Sequence, residues 1–275
     1  MNAYTKLPFK LRESKKLKDI RMPLSHFVDI AIEAARAGEA IIKRYYRPDI
    51  DVHIKADQTP VTIADVETER AIVQILRNAF PDHGFFGEET GQEKLNAEFV
   101  WLIDPIDGTK SFVRNYPFFS TQITLMRNDD FMLGVSNAPM FGELAYAEIG
   151  KGAMLNNRPI HVSALDKLGA ATLSLGNIKS LATGPRWPAL GELIGQFNRV
   201  RGYGDFYHYH LLASGKIDAV IESDVNILDV AALSVIVEEA GGRVTDLAGN
   251  PLAIESSNIV ASNGRLHEQL LAALV

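Results

Sequence analysis

The chain has 275 residues, 47% of them hydrophobic, no cysteine and a formal net charge of −6. Without cysteine there is neither a disulfide framework nor a thiolate metal site, and an acidic balance with no long basic run past the N-terminus argues against a nucleic-acid-binding face. The apolar fraction suffices for a sizeable core, in one large domain or two tightly packed lobes, and no apolar stretch approaches the ~20 residues of a membrane span.

Residues 1–21 carry Lys6, Lys10, Arg12, Lys15, Lys16, Lys18 and Arg21 with no apolar h-region after them. A secretory signal is therefore not expected, and a cytoplasmic protein is the default. We read this segment as a dispensable, disordered arm; the alternatives are a weak nucleic-acid or membrane contact, or translated sequence ahead of a start at Met22. Leu24 to Tyr46 predicts an amphipathic helix, with Phe27, Ile30, Ala31, Ala34, Ile41 and Ile42 near a 3.6 period and Pro48 past its end. Thr62 to Phe80 predicts a second, terminated by Pro81, with Asp65 in the first turn where the helix dipole favours a negative charge. Strands are expected at Phe99–Asp104, Ser120–Arg127, Phe131–Ala138 and Glu143–Glu148, followed by turns at 150–152 and 156–159. The second half alternates element types. Strands are expected at Ala171–Leu175, Ile217–Glu222 and Asn258–Ala261; helices at Pro188–Asn198, Asp205–Ser214, Asp229–Ala240 and Arg265–Leu274. Such a mixed pattern, without repeats or low-complexity linkers, argues for layers of helix and sheet.

The most informative stretch is Trp101 to Phe112. An apolar run ends at Asp104, and Pro105 cannot donate to a ladder, so regular pairing should stop there. Asp107 follows three positions on, and Gly108 permits a tight turn and close approach by a ligand. Two carboxylates at a strand end beside free backbone amides suit a hard cation and a phosphate together. Taken alone, the pentapeptide Asp104 to Gly108 could equally be an ordinary acidic turn.

Three separated motifs decide between these alternatives: Phe86-Gly87-Glu88-Glu89-Thr90, the Asp104 to Thr109 run, and Leu228-Asp229-Val230-Ala231-Ala232. In this order they resemble the inositol monophosphatase family of magnesium-dependent phosphomonoesterases, over nearly the whole chain after about Met22. The resemblance implies an α/β fold, an alternating α-β-α-β-α sandwich. It implies an N-terminal lobe, 22–160, with most metal ligands, and a C-terminal lobe, 161–275, with Asp229 and the selectivity residues, the two forming one unit. It implies two or three Mg2+ ions: Glu88, Asp104 and the Ile106 backbone oxygen at the first, Asp104, Asp107 and Asp229 at the second, and Glu88 again at a looser third. Two such metals can clamp the attacking and leaving oxygens of an in-line displacement, with no covalent enzyme intermediate. Asp65 and Thr109 are then the pair that orients the attacking water, with Glu88 beside them in the catalytic set, and the Gly108 and Thr109 amides face the phosphate. Lys55 matches a loop lysine of the family and reads equally as a solvated surface charge. Lithium inhibition and a homodimer belong to the same expectation.

Substrate choice should lie in the second half. The run Arg201 to Tyr209 and the Thr-Lys-Ser-Phe run from Thr109 are similar to those of the histidinol-phosphate phosphatase branch, which implies a place in histidine biosynthesis. Histidinol carries an ammonium and an imidazole, for which Asp205 and Glu222 are the candidate partners, with Arg201 alongside. Inositol 1-phosphate or another sugar or polyol phosphate is the second candidate, because the same carboxylates accept hydrogen bonds from hydroxyls. A non-catalytic, regulatory phosphate binder is the alternative from another class. Leu228 stands where the family usually has Trp, which removes an aromatic wall. Glu89 is set aside as facing away from Glu88. His208 and His210, two apart on a helix, should point to different faces as packing or substrate-wall residues, and Phe112, Tyr116, Phe118 and Phe119 read as core or dimer contacts.

Overall fold

Val28, Ala31, Ala34, Ala35, Gly38 and Ile42 recur near the helical period and are the buried face of the first helix, α1 (His26–Tyr45). The computed structural model describes residues 25–46 and 63–274, so the basic arm and Lys55 lie outside the described residues. After α1 come α2 (Ile63–Ala79), β1 (Gly84–Gly87), β2 (Gly91–Glu93), β3 (Phe99–Asp107), α3 (Thr109–Val113) and β4 (Ser120–Arg127). Then follow β5 (Asp130–Ala138), β6 (Glu143–Glu148), β7 (Ala153–Leu155), β8 (Arg158–Ile160), β9 (Thr172–Gly176), α4 (Ile178–Thr183) and α5 (Trp187–Ile194). The chain ends with β10 (Arg199–Arg201), α6 (Asp205–Ala213), β11 (Ala219–Ser223), α7 (Ile227–Glu239), β12 (Arg243–Thr245), β13 (Asn258–Ser262) and α8 (His267–Ala273).

The strands form two sheets, one ordered β2-β1-β3-β4-β5-β6-β7-β8 and the other β10-β9-β11-β13-β12. Alternation along each strand sends side chains into different layers. Trp101, Ile103, Ile123 and Val135 face α1 and α2, while Val100, Leu102 and Met126 face a second core shared with α6 and α7. The outer face of the smaller sheet is covered by α4, α5 and α8, with Leu173, Ile221 and Val260 in a third core. The layers therefore run α-β-α-β-α. The central helices α6 and α7 are apolar nearly all round, as a helix between two sheets must be.

Two sequence expectations change. Pro105 does not end β3: Asp104 pairs with Gln122, the next pairing is Asp107 with Ser120, and the register shifts between them. The proline interrupts the ladder and the strand resumes one bulge later. Helix α5 stops at Ile194, short of Asn198. The short strands β1, β2, β8, β10 and β12 carry too few residues for a period to be read.

Helix α7 lies unusually close to the large sheet. A Cβ on Gly134, in β5, would fall 2.2 Å from the carbonyl oxygen of Ala232. Gly134→Ala is therefore expected to push α7 off the sheet and destabilise the protein by about 1–3 kcal/mol, the usual effect of overpacking. Thermal denaturation reads this, and a melting temperature equal to wild type would refute the close approach.

Candidate active site

Asp104, Asp107 and Asp229 each offer one carboxylate oxygen, and these oxygens lie within 4.8 Å of one another. Each carboxylate is fixed by a local device. Asp104 is buried and its Oδ1 accepts the Ile106 amide at 3.0 Å, a turn made possible by the bulge at Pro105. Asp107 Oδ2 accepts from Ser120 Oγ at 3.3 Å. Asp229 stands in the first turn of α7, where its Oδ2 accepts the Asn226 amide at 3.2 Å, while Asn226 Oδ1 caps Leu228 N at 3.1 Å. Burial is the main cause that raises the carboxyls of all three acids, well above the ordinary value at Asp104 and Asp107, where mutual repulsion adds to it. A hard cation among them would relieve both effects, and oxygen donors at this spacing suit one.

Glu88 lies outside that group of three and is exposed, but it contacts Asp104; partial burial raises its carboxyl, and Asp229, Asp65 and Glu69 add repulsion that the contact with Asp104 offsets in part. The turn that follows it is held by Glu69, which the sequence reading missed. Glu69 is fully buried in α2, its Oε2 accepts Glu89 N at 2.9 Å, and its Oε1 accepts Thr90 N at 2.7 Å and the Thr90 hydroxyl. A Cβ on Gly87 would fall 2.0 Å from Glu69 Oε1, so a larger residue there would displace the Glu69 carboxylate. The spacing of Glu69 from Asp65, one helical turn on, was the available signal. Glu89, set aside in the sequence, shares this field: burial, then Asp65, Glu88 and Glu69, push its carboxyl up to about 7. Asp65 is buried in the first turn of α2. Thr109 Oγ1 donates to the Ile106 carbonyl at 3.0 Å, the same carbonyl singled out as a metal ligand. Gly108 has φ +88, and a Cβ would meet Phe118 O at 2.4 Å.

A small cleft opens from the cluster, and Asp107, Asp229, Asp205, Glu222, Tyr209 and Asn177 supply its polar lining. Asp205 adopts φ +46, a left-handed conformation that Asp tolerates better than most residues, and burial and then Glu222 push its carboxyl up to about 6. Glu222 Oε2 accepts from Tyr209 OH at 3.0 Å and lies 3.1 Å from His208 Nε2. His208 thus reaches the smaller sheet, while His210, two residues on, reaches Ser136 in the larger one. Arg201 is not brought to the cleft: it is exposed on β10 and its Nη1 donates to Val200 O at 2.7 Å. Leu228 packs in the central core and is not among the lining residues. Phe112 and Phe119 are buried with Ile106, Tyr116 is exposed, and Phe118 packs edge-on against Phe141 and Tyr207.

Residues 24–275 match the model of the inositol monophosphatase family. A histidinol-phosphatase of Chlorobaculum parvum is 36% identical over 90% of this chain and 96% of that protein. One from Mycobacterium tuberculosis is 38% identical over 88% of this chain and 94% of its own length. The solved inositol monophosphatase of Anabaena superposes with a TM-score of 0.79 at 33% identity, covering 90% of this chain and 94% of the other. The layered sandwich, the carboxylates converging where β3 meets α7 and these matches agree: the chain belongs to the inositol monophosphatase family and is a phosphoric monoester hydrolase.

Proposed function

We propose that this phosphatase uses magnesium to hydrolyse a small-molecule phosphomonoester, with the cationic histidinol phosphate first and inositol 1-phosphate second. The observation that carries this is the pair Asp205 and Glu222 in the same cleft as Asp107 and Asp229. A phosphate needs cations beside it, and the acidic cluster can hold them. The far side of the cleft is acidic too, which suits a substrate whose other end is positive. The names carried by the two bacterial relatives support the same order of substrates.

In this mechanism Glu88, Asp104, Ile106 O, Asp107 and Asp229 would hold two or three ions. Bound there, magnesium supplies charge neutralisation, an activated water and stabilisation of the leaving oxygen. The chain's own groups do the rest. Asp65 and Thr109 orient the attacking water; Thr109 gives its proton to Ile106 O and keeps its lone pairs as acceptors. The Gly108 and Thr109 amides, at the start of α3 and without intrahelical acceptors, bind the phosphoryl oxygens. Asp205 receives the ammonium, and Glu222, held at Oε2 by Tyr209, receives the imidazole. A homodimer working in the cytoplasm completes the proposal; among the described residues no helix is long and apolar enough to cross a membrane.

Because the carboxyls of the cluster are raised, the metal-free site takes up protons at a higher pH than ordinary carboxylates do, and these must leave when a cation enters. Metal affinity therefore rises with pH. The thermal stabilisation given by a fixed magnesium concentration should be larger at pH 8 than at pH 5.5, and equal shifts at both would contradict it. Asp104→Asn should lower kcat by at least ~10³-fold, as loss of a main electrostatic stabiliser does; a variant retaining a tenth of the wild-type rate would show that the metals sit elsewhere. Phosphate release from a panel of phosphomonoesters, with magnesium or excess chelator, tests the substrate. Histidinol phosphate should show the higher kcat/KM, and Asp205→Asn should lower it by roughly ten- to a hundredfold more than that for inositol 1-phosphate. Equal losses, or a wild-type preference for inositol 1-phosphate, would overturn the histidinol assignment.

A further inference from the structure

A line of buried polar side chains crosses the inner face of the large sheet and ends on Asp107. Ser120 Oγ donates to Asp107 Oδ2, and Gln122 Nε2 donates to Ser120 Oγ at 2.7 Å and to Ser136 Oγ at 3.1 Å. Ser136 Oγ lies 2.9 Å from His210 Nε2, and His210 Nδ1 lies 2.9 Å from Glu143 Oε2 at the edge of the protein. Ser120, Gln122, Ser136 and His210 are each at most 1% exposed. Strand register produces the line: Asp107 pairs with Ser120 and Gln122 pairs with Ser136, all on the face turned to α6 and α7.

Donor counting gives the line one direction. Both amide hydrogens of Gln122 are committed, so Ser120 and Ser136 each accept once and have their own proton to give. Ser120 gives it to Asp107. Ser136 gives it to His210 Nε2, which leaves Nδ1–H to donate to Glu143. Turning the Gln122 amide over would make its oxygen the acceptor for both serines and leave Asp107 without a donor. In this arrangement every proton of the line has an acceptor and Asp107 receives a hydrogen bond, while Gln122 Oε1 is buried with no partner among the described residues.

Placing so many polar groups in a core layer is unfavourable unless each is satisfied. Apolar residues would fill the same space with less constraint. We propose that Gln122, Ser136 and His210 are positioning residues for the metal site: through Ser120 they fix the rotamer of Asp107, and they tie it to Glu143 at the surface. Such outer partners of a metal ligand typically alter metal affinity by 10–100-fold. This inference rests on the metal role of the acidic cluster proposed above.

The test is direct Mn2+ binding to the full chain, by calorimetry or by the electron paramagnetic resonance of free Mn2+, without substrate. Gln122→Leu should raise the dissociation constant by about tenfold or more, and Ser136→Ala, one link further out, by at least about threefold. Ser120→Ala combined with Ser136→Ala should weaken binding less than the product of the single effects, since cutting the line twice adds little. Thr124→Val is the control: Thr124 is buried on the same face of β4 but outside the line, so it should leave the constant within twofold. Dissociation constants within twofold of wild type in both Gln122→Leu and Ser136→Ala would overturn the inference, as would an equal weakening by Thr124→Val. Should Gln122→Leu not fold, Ser136→Ala carries the test alone. Failure of the wild type itself to bind Mn2+ would instead sink the metal assignment, and this inference with it.

Discussion

Three carboxylates held within 4.8 Å of one another repel, and the scaffold exists in a form that withstands that repulsion. Left to themselves these side chains would turn apart. Each is prevented by a hydrogen bond that originates in backbone architecture: the bulge after Pro105 for Asp104, the pairing of β4 for Asp107, and the cap of α7 for Asp229. The cluster is thereby preorganised for a cation, with little rearrangement left to binding. Helix α7 must also approach the large sheet closely enough for Asp229 to reach β3. Gly134 in the sheet and Ala231 and Ala232 in the helix supply that closeness.

The carboxylates are supported from behind by further buried polar groups. Glu69 gathers the amides that follow Glu88, and the serine and glutamine line braces Asp107. The helix α6 links the two ends of the cleft. Residues two apart on a helix point about 200° away from each other. His208 consequently meets Glu222 on one sheet while His210 meets Ser136 on the other. One helix between two sheets thus touches both a carboxylate of the cleft and the polar line that ends on Asp107. That layer is buried and mostly apolar, so its hydrogen bonds lie in a low-dielectric setting that strengthens them and penalises any left unmade.

Much of this was legible in the chain. The period of α1, the alternation of β4 to β6 and the Gly241-Gly242 stop after α7 are local signals, and local signals survive tertiary packing when burial agrees with them. The Asp-Pro-Ile-Asp-Gly-Thr run made the end of β3 a candidate site because carboxylates, a broken ladder and a flexible glycine coincide there, and only the motifs at Glu88 and Asp229 separated it from an ordinary acidic turn. Less legible were the strands of three or four residues, whose place is set by the neighbour they pair with, and the continuation of β3 past Pro105. Glu89 was set aside by a strand-alternation argument, but the turn that Glu69 builds after Gly87 ends that alternation.

By itself the sequence determined the residue types, their order and the elements that carry them, because capping, turns and periodicity depend on neighbours in the chain. It therefore determined which carboxylates were available and at which element ends. Only the tertiary structure decided which of them meet. Asp104 and Asp229 are 125 positions apart, and their approach depends on α7 lying between two sheets. The same holds for Gln122, Ser136 and His210, whose polar atoms give no local pattern at all. Strand register and helix phase bring them into one line, and these are set by packing between layers, which no stretch of neighbouring residues encodes.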